Sequence, residues 1–241
     1  MNLVIDQGNT VSKLAVFHAG EMIARIVEPV LNTKILQSIF GEFPEISKGI
    51  LSSVSMYPDD ISGLLNHKLN PFIILNSGTP LPIINKYSTK KTLGYDRIAD
   101  AVGAFSIFPG CNILVIDAGT AITIDLVTAG GEFYGGNISP GIDLRFKALH
   151  ENTKKLPMVE KNEEYPFLGK TTEKAILAGV LNGITFELDG YIDKLKTQYP
   201  DLKIILTGGD TKYFDKKLKN SIFANLNLNL SGLNRILEYN V

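Results

Sequence analysis

A short sequence pattern occurs twice in this chain and limits its possible folds more than any other feature. Residues 3–10 and 114–121 both read as an apolar run, then Asp, then Gly two positions later, then small residues. Such a segment predicts a buried strand that delivers a carboxylate to a tight turn, where backbone N–H groups can face an anion. A second β-like run follows each copy, at residues 13–17 and 122–127. The repetition predicts a duplicated unit that holds a nucleotide phosphate between its halves, as in an ATP-using phosphotransferase with two similar lobes.

Length and composition set the broad class of the protein. The 241 residues, 44% of them hydrophobic, suffice for one large or two small domains. The formal net charge of −1 gives no electrostatic reason to expect nucleic acid or an anionic membrane as a partner. The single Cys111 excludes an intrachain disulfide and fits a reducing compartment. The first residues lack a basic n-region, and no apolar run approaches the ~20 residues that cross a bilayer, so we expect a soluble cytoplasmic protein.

Helix and strand patterns recur in a similar order in the two halves of the sequence. Strands are predicted from β-branched apolar runs bounded by turn residues, and helices from apolar spacing. In the first half, the predicted strands are 3–5, 12–17, 21–27, 49–54 and 72–75, and the predicted helices are 33–40, 59–69 and 95–108. In the second half, the predicted strands are 113–116, 122–127, 132–138 and 203–206, and the predicted helices are 142–151, 172–198 and 233–239. Three strands followed by alternating helices and strands, occurring twice, predict an α/β chain with a duplicated ribonuclease H-like, two-lobed fold.

The two predicted lobes join where a Pro-Gly pair ends a helix, near residues 109–112. We therefore expect an N-terminal lobe at residues 1–110 and a C-terminal lobe at residues 111–241. Within the second lobe, residues 153–168 are polar and contain two prolines, which predicts an excursion without regular structure.

The first Asp-x-Gly turn has the residue types of a phosphate and magnesium site. Asp6 offers a hard oxygen ligand for Mg²⁺, directly or through water. Gly8 allows the backbone to approach a phosphate, Asn9 and Thr10 can hydrogen-bond its oxygens, and Lys13 can add a positive charge. Alone, the segment could equally be an ordinary Asp-Gly hairpin turn. The second copy favours the phosphate site.

The second Asp-x-Gly turn concentrates oxygen ligands along a strand. Asp117 and Thr120 are followed by Thr123 and Asp125, a set that suits a cation bridging protein and phosphate. The alternative is the polar face of an exposed hairpin.

Two further glycine-containing segments are candidates for nucleotide contacts. Residues 207–210, Thr-Gly-Gly-Asp, could pass under an adenine or cradle its ribose, or could be a strand-to-helix turn with Asp210 as N-cap. Residues 135–141 form another turn of small residues, which could close over the nucleotide or only pack tightly.

An acid and an arginine stand together at a predicted helix start, in the segment Gly94, Tyr95, Asp96 and Arg97. Asp96 could be only a first-turn acid that the helix dipole favours. The adjacent guanidinium of Arg97 offers a planar fork for a carboxylate or phosphate. Together the two suit a kinase, in which the acid deprotonates an acceptor alcohol and the arginine holds the substrate.

These motifs, in this order and spacing, resemble the type III pantothenate kinases, which belong to the superfamily of actin, sugar kinases and heat-shock chaperone ATPases. The resemblance covers essentially the whole chain and includes the segment at residues 230–233. One departure is Lys90, where the family often has Pro, so the loop at residues 87–93 is expected to differ in shape.

The resemblance implies a set of roles for particular residues. Asp96 would be the general base on the hydroxyl of pantothenate, and Asp117 would ligate a monovalent cation, K⁺ or NH₄⁺. ATP-binding residues would be Asp6, Gln7, Gly8, Asn9, Thr10, Val11, Ser12, Lys13 and Thr120. Substrate-binding residues would be Tyr87, Gly94, Tyr95, Asp96, Arg97 and Thr172. Members are typically homodimers with the pantothenate site near the subunit interface.

The function expected is ATP-dependent phosphorylation of pantothenate to 4′-phosphopantothenate, the first step of coenzyme A biosynthesis. One alternative is a sugar or N-acetylhexosamine kinase of the same superfamily, against which Asp96, Arg97 and Thr172 argue. The other is a non-enzymatic regulator on the same scaffold. The intact set of Asp6, Asp96 and Asp117 favours an enzyme over such a regulator, because a binding protein needs no base.

Overall fold

The computed structural model describes residues 1–8, 11–53 and 59–241 of the chain. Its strands are β1 (Asn2–Gln7), β2 (Ser12–His18), β3 (Glu21–Glu28), β4 (Lys48–Ser53), β5 (Phe72–Ile74), β6 (Ile84–Asn85), β7 (Ile113–Ala118), β8 (Ala121–Val127), β9 (Glu132–Pro140), β10 (Lys203–Thr207) and β11 (Phe223–Ala224). Its α-helices are α1 (Thr33–Glu42), α2 (Asp59–Lys68), α3 (Tyr95–Ile107), α4 (Ile142–Glu151), α5 (Thr172–Lys196) and α6 (Leu228–Tyr239). Three predicted features, Asn9, Thr10 and the strand end at Val54, lie outside the described residues.

Two sheets of the same topology confirm the predicted duplication. The first sheet has the strand order β3-β2-β1-β4-β5, and the second contains the order β9-β8-β7-β10-β11. In the first, β1 pairs antiparallel with β2 and parallel with β4. In the second, β7 pairs antiparallel with β8 and parallel with β10. Each copy of the repeated motif therefore forms the central strand of its sheet, which is the arrangement expected of a duplicated ribonuclease H-like fold.

Contacts group the chain into two compact units. The first comprises residues 1–109, 131–133 and 227–241, and the second comprises residues 110–130 and 134–226. In the first unit, apolar residues of β1, β2 and β4 pack against α1 and α2. In the second unit, the central strands pack against α4, α5 and the segment around Phe214. The division into lobes at residues 110 and 111 stays a prediction.

Helix α6 belongs to the first unit and lies close against α3. A Cβ atom on Gly103 would overlap the backbone oxygen of Leu228, and one on Gly232 would overlap the backbone oxygen of Ala99. The two helices can approach this closely only because both contact positions lack a side chain. The predicted helix at residues 233–239 thus begins earlier, at Leu228, and its first turns form the contact with α3.

Several boundaries differ from the sequence prediction. The expected small-residue turn at residues 135–141 is wrong for most of its length, because β9 continues to Pro140 with Gly135 at a φ of 79°. The two-residue strands β6 and β11 were not predicted, since two residues are too few to show an alternation. Residues 153–168 contain no helix or strand, as expected.

Helix α5 bears on the expectation that no apolar run is long enough to cross a bilayer. Within the described residues it is the one helix long and apolar enough, by length and composition alone, to cross a bilayer. Half of its most apolar stretch is buried in the second unit, and core helices of soluble proteins share these properties. Its length and composition are therefore weak evidence for a membrane span.

Replacing the glycine at the closest point of the α3 and α6 contact tests this packing. Gly232→Ala is expected to lower the free energy of unfolding by about 1–3 kcal/mol, since the added methyl group would overlap the carbonyl of Ala99. The measurement is urea denaturation followed by circular dichroism. The control is Gly63→Ala in α2, where the Cβ position is open and a gain of up to about 1 kcal/mol is expected. Equal effects of the two substitutions would contradict the close approach.

Candidate active site

The turn after β1 lies at the edge where two neighbouring strands also present polar residues. Asp6 is opposite Lys13 on β2 and Ser52 on β4. The amide of Gly8 donates to the carbonyl of Val11 at 3.1 Å and closes the turn. This pairing brings the predicted phosphate-binding residues from both sides of the turn together, apart from Asn9 and Thr10, which lie outside the described residues.

The remaining predicted ATP ligands of this turn differ in accessibility. The hydroxyl of Ser53 donates to Oε1 of Gln7 at 3.1 Å, which ties the end of β1 to the end of β4. Val11 and Lys13 are half-buried, whereas Ser12 is only 2% exposed. The roles of Gln7, Val11, Ser12 and Lys13 toward ATP stay predictions.

The predicted acid and arginine stand at the first turn of α3. Gly94 precedes the helix, and a side chain there would overlap the carboxylate of Asp96. Oδ1 of Asp96 accepts a hydrogen bond from the backbone N–H of Arg97 at 2.8 Å, and the Asp96 side chain is exposed. The helix start therefore holds a carboxylate at the surface in a defined orientation, where an acceptor alcohol can reach it.

Arg97 turns inward and meets an aromatic ring predicted to share its site. Its side chain is 5% exposed, and its guanidinium carbon lies 5.3 Å from the ring centroid of Tyr87. The Tyr87 ring lies 6.3 Å from that of Phe133, at the start of β9. The cation–π contact orients the arginine fork. The structure thus brings together three predicted substrate-binding residues, Tyr87, Asp96 and Arg97, while Tyr95 is half-buried beside them.

Asp6 occupies an electrostatically unfavourable position. Burial raises the pKa of its carboxyl group to about 6; the positive charge of Lys13 opposes this rise and the carboxylate of Asp96 adds to it. The charged form is therefore stabilised by any cation that binds nearby. A hard oxygen donor whose negative charge is poorly solvated fits the magnesium ion expected here.

In the second unit, two motifs that are distant in sequence meet at the ends of β7 and β10. Asp117 pairs with Thr207 in the parallel register. Gly208 has a φ of 96°, and a Cβ atom there would overlap Oδ1 of Asp117 and the carbonyl of Ala118. The amide of Asp210 donates to the carbonyl of Ala118 at 2.9 Å. The segment at residues 207–210, predicted to contact adenosine, therefore packs directly against the second Asp-x-Gly turn.

A third segment closes on the same turn from the other side. The amide of Gly141 donates to the carbonyl of Thr120 at 3.0 Å, and a Cβ atom on Gly141 would overlap that backbone. Arg145 stabilises the position of this segment: its Nε donates to the carbonyl of Pro140 at 2.8 Å, and its guanidinium forms an ion pair with Glu187. The side chain of Thr120 remains exposed, as an ATP contact requires.

The carboxylate of Asp117 and the backbone carbonyl of Ala118 beside it suit a cation that takes oxygen ligands. Within residues 1–8, 11–53 and 59–241, no three His, Cys, Asp or Glu side chains are grouped as metal ligands. A cation beside Asp117 would therefore take one carboxylate, with backbone, water or phosphate oxygens completing its shell. Asp125, the other candidate carboxylate of this hairpin, is buried on β8.

A lysine that sequence reasoning missed ties residues 153–168 to the segment at residues 207–210. Nζ of Lys161 lies 2.8 Å from Oδ1 of Asp210 and 2.8 Å from Oδ2 of Asp143. Burial lowers the pKa of Lys161, but the hydrogen bonds to both carboxylates outweigh it and raise the pKa overall. Asp210 also stands at the predicted N-cap position, before the short 3-10 helix Thr211–Tyr213, although its side chain makes no capping hydrogen bond. No local pattern signals Lys161, since both partners are distant in sequence.

Thr172 is the first residue of α5 and is exposed. The preceding Thr171 is the N-cap, whose hydroxyl accepts from the amide of Lys174 at 3.3 Å. The position leaves the Thr172 side chain accessible at a helix start. Its role toward pantothenate stays a prediction.

Comparison with solved structures defines the class of the fold. A Campylobacter jejuni protein provisionally described as a Baf family transcriptional activator aligns with a TM-score of 0.61 at 24% identity, covering 99% of this chain and 98% of its own. A glucokinase from an Antarctic psychrotroph aligns at 0.52 and 13% identity, with 99% and 98% covered. A ROK family glucokinase from Streptomyces griseus aligns at 0.51 and 10% identity, with the same coverage. The chain therefore has the α/β fold that these proteins share.

Sequence comparison identifies the family to which the chain belongs. The type III pantothenate kinase family matches residues 2–194. A type III pantothenate kinase of Bacteroides fragilis is 47% identical over 240 residues, covering 100% of this chain and 98% of the relative. One of Cytophaga hutchinsonii is 44% identical over 241 residues, covering all of both chains. The chain belongs to the type III pantothenate kinase family, which confirms the resemblance inferred from its motifs.

The raised pKa of Asp6 predicts that its ionised carboxylate lowers the free energy of unfolding by an amount that depends on pH. The unfolded-state value is 3.8 and the folded-state value is about 6, so the folded state binds the proton more tightly. The cost is absent below the lower value, grows between the two, and is complete above pH 6. Asp6→Asn is therefore expected to raise the free energy of unfolding at about pH 8 by up to about 3 kcal/mol, as 1.36 kcal/mol corresponds to one pKa unit.

Urea denaturation without nucleotide, at about pH 8 and about pH 5, measures this gain. At the lower pH the gain is expected to fall to roughly half, because wild-type Asp6 is then mostly protonated in the folded state. The matched control is Asp201→Asn, an exposed carboxylate in a turn, which should change stability little at either pH. A loss of stability in Asp6→Asn at about pH 8 would show that the carboxylate is well solvated or paired.

Proposed function

We propose that the protein transfers the γ-phosphoryl group of ATP to the primary alcohol of pantothenate, producing 4′-phosphopantothenate for coenzyme A biosynthesis. The observation that carries the proposal is the exposed carboxylate of Asp96, oriented at the start of α3 beside the Arg97 and Tyr87 pair. Membership of the type III pantothenate kinase family supports the choice of substrate.

Asp96 is proposed as the general base. One of its oxygens is held by the amide of Arg97, which leaves the other free to accept the proton of the acceptor hydroxyl. As the proton moves to Asp96, the alcohol oxygen forms a bond to the γ-phosphorus and the bond from that phosphorus to the β,γ-bridging oxygen breaks. ADP leaves with the electron pair. Such a transfer depends mainly on positioning and neutralisation of charge.

Arg97 is proposed to bind the carboxylate of pantothenate. Its guanidinium is oriented by the Tyr87 ring and is almost fully buried, so an anion that it binds is shielded from water. Gly94 has no side chain and so leaves room for the Asp96 carboxylate, and Tyr95 adds a half-buried ring. Thr172, exposed at the start of α5, is assigned to the substrate on the family resemblance.

ATP and its cations are assigned to the two repeated turns. Residues 6–13 would bind the phosphates, and Thr120 would contact ATP in the second unit. Magnesium would supply neutralisation of phosphate charge, with Asp6 holding it directly or through water. Asp117 would hold K⁺ or NH₄⁺. The buried, destabilised carboxylate of Asp6 and the oxygen donors around Asp117 support these assignments.

The oligomeric state proposed is a homodimer. Phe167 is 70% exposed and Phe186, in the middle of α5, is 59% exposed, with their rings 6.2 Å apart and Leu168 exposed beside them. Adjacent exposed aromatic and aliphatic side chains are typical of a surface that a partner covers. The free Cys111 supports a cytoplasmic location.

An ADP-release assay tests the proposed reaction. Release is expected to require pantothenate, and K⁺ or NH₄⁺ should support it much better than Na⁺, since Asp117 is assigned to a larger monovalent cation. A panel of hexoses and N-acetylhexosamines is assayed in parallel. Turnover of a sugar without turnover of pantothenate would replace the proposed substrate, and equal rates in the three salts would remove the cation assignment.

The same assay identifies the base. Asp96→Asn should reduce kcat by about 10²–10⁴-fold, because it keeps the shape of the side chain and removes the proton acceptor. Asp60→Asn, at an exposed first-turn position of α2, is the matched control and should keep the wild-type rate. Near-wild-type turnover by Asp96→Asn would leave Asp96 as a helix-start residue only.

Light scattering after gel filtration tests the homodimer. The wild type should elute with about twice the 26.4 kDa mass of the chain, and Phe186→Ser should shift it toward the monomer by removing apolar contact area. The control is Tyr239→Ser, an aromatic residue of similar exposure on α6. A wild-type mass of one chain, or an unchanged mass in Phe186→Ser, would exclude this surface as the dimer contact.

A further inference from the structure

A buried asparagine on α6 reaches the backbone of the residue assigned as the base. Asn229 is 9% exposed and lies on a helix face that is otherwise rich in leucine. Its Nδ2 donates to the backbone carbonyl of Asp96 at 3.3 Å. Its Oδ1 is buried and accepts no hydrogen bond from any described residue. The side chain therefore makes one polar contact, and that contact is to Asp96.

The fold gains little stability from this arrangement. The carbonyl of a residue inside a helix already accepts a hydrogen bond from the amide four positions later, so Asp96 needs no second donor. Burying an amide with an unsatisfied oxygen costs free energy that a leucine of similar volume would not incur. What the hydrogen bond adds is a link from α6 to the first turn of α3, at Asp96 itself.

Helix α6 also makes a hydrogen bond to the strand that carries Asp6. Nδ2 of Asn2, the first residue of β1, donates to Oδ1 of Asn234 at 2.9 Å, and Asn234 donates to Glu238 at 3.0 Å. The close contacts at Gly103 and Gly232 fix the separation of α6 from α3. The packing of α6 against α3 therefore does not depend on the Asn2 contact, and Asn229 couples the first turn of α3 to α6 within the first unit.

We propose that Asn229 is a positioning residue for the reaction, acting through its hydrogen bond to the backbone of Asp96. The inference rests on the proposed function, in which Asp96 is the base. Without the bond, the first turn of α3 moves more freely, and the carboxylate is correctly placed for a smaller fraction of the time. The rate of the transfer step falls, while ATP binding at the β1 turn is preserved.

Two substitutions of Asn229 test the proposal against a matched control. Asn229→Leu removes the hydrogen bond and the unsatisfied oxygen, and Asn229→Asp keeps the shape but replaces the donor with an acceptor. Both are expected to lower kcat for pantothenate about tenfold, since small misplacements of reacting groups have effects of this order or larger. The KM for ATP should stay within about twofold of wild type, and Asn229→Leu should retain the wild-type unfolding midpoint or exceed it.

The control is Asn234→Leu, which removes the other buried asparagine of α6 and two hydrogen bonds remote from Asp96. It should lower the unfolding midpoint and leave kcat near wild type. A tenfold loss of kcat in Asn234→Leu, or unchanged kcat in both Asn229 variants, would overturn the positioning role. The conclusion then would be that α6 contributes stability alone.

A measurement independent of turnover separates this inference from the proposed function. The amide of Arg97 donates to Asp96 Oδ1, so its hydrogen exchange reports the order of the first turn of α3. Exchange should be several-fold faster in Asn229→Leu than in wild type or Asn234→Leu. If the wild type fails to phosphorylate pantothenate, the proposed function falls, and the exchange rates still decide whether Asn229 holds this turn. Unchanged exchange would overturn the inference in either case.

Discussion

Parallel pairing at the ends of the two central strands is the constraint on which the rest of the structure depends. β1 with β4 and β7 with β10 run side by side, so the residues that follow each pair emerge at the same edge. At one edge this places Asp6 beside polar residues of β4, and at the other it places Asp117 beside Gly208. Both sheets share this topology, so the same strand-to-turn motif occurs in each. It gives two oxygen-rich turns, one after β1 and one after β7, whose surroundings differ.

Two polar residues near the proposed site, Asp6 and Asn229, lower the stability of the fold, which a purely structural role would not explain. The half-buried Asp6 loses enough hydration that the pKa of its carboxyl group rises to about 6, and Asn229 buries an amide oxygen without a partner in the described chain. The leucine- and isoleucine-rich cores of both units stabilise the fold and offset these unfavourable contributions. Functional sites are where departures from the lowest-energy choice of residue are expected. The comparison with glucokinases adds that the fold itself does not select the acceptor, because those alignments are at 10–13% identity.

Much of the fold and part of the site could be predicted from local sequence patterns. The duplicated strand motif gave the central strands, and β-branched runs and apolar spacing gave the longer helices and strands to within a few residues. The predicted residues Tyr87, Asp96 and Arg97 come together in the structure, as the ordered motifs indicated. The missed strands β6 and β11 have two residues each, and β9 was predicted too short because glycines obscure its alternation.

The sequence by itself determined the repeated turns, the class of fold and the family, because these depend on residue types at short, ordered spacings. Only the tertiary structure decided which distant residues support them. Lys161 is fixed by two carboxylates, and Asn229 reaches Asp96 from the last helix. The same holds for the pKa of Asp6, which rises mainly because its carboxyl group is buried. Such contacts and burial arise from the packing of elements far apart along the chain, and a local pattern of residues contains no signal for them.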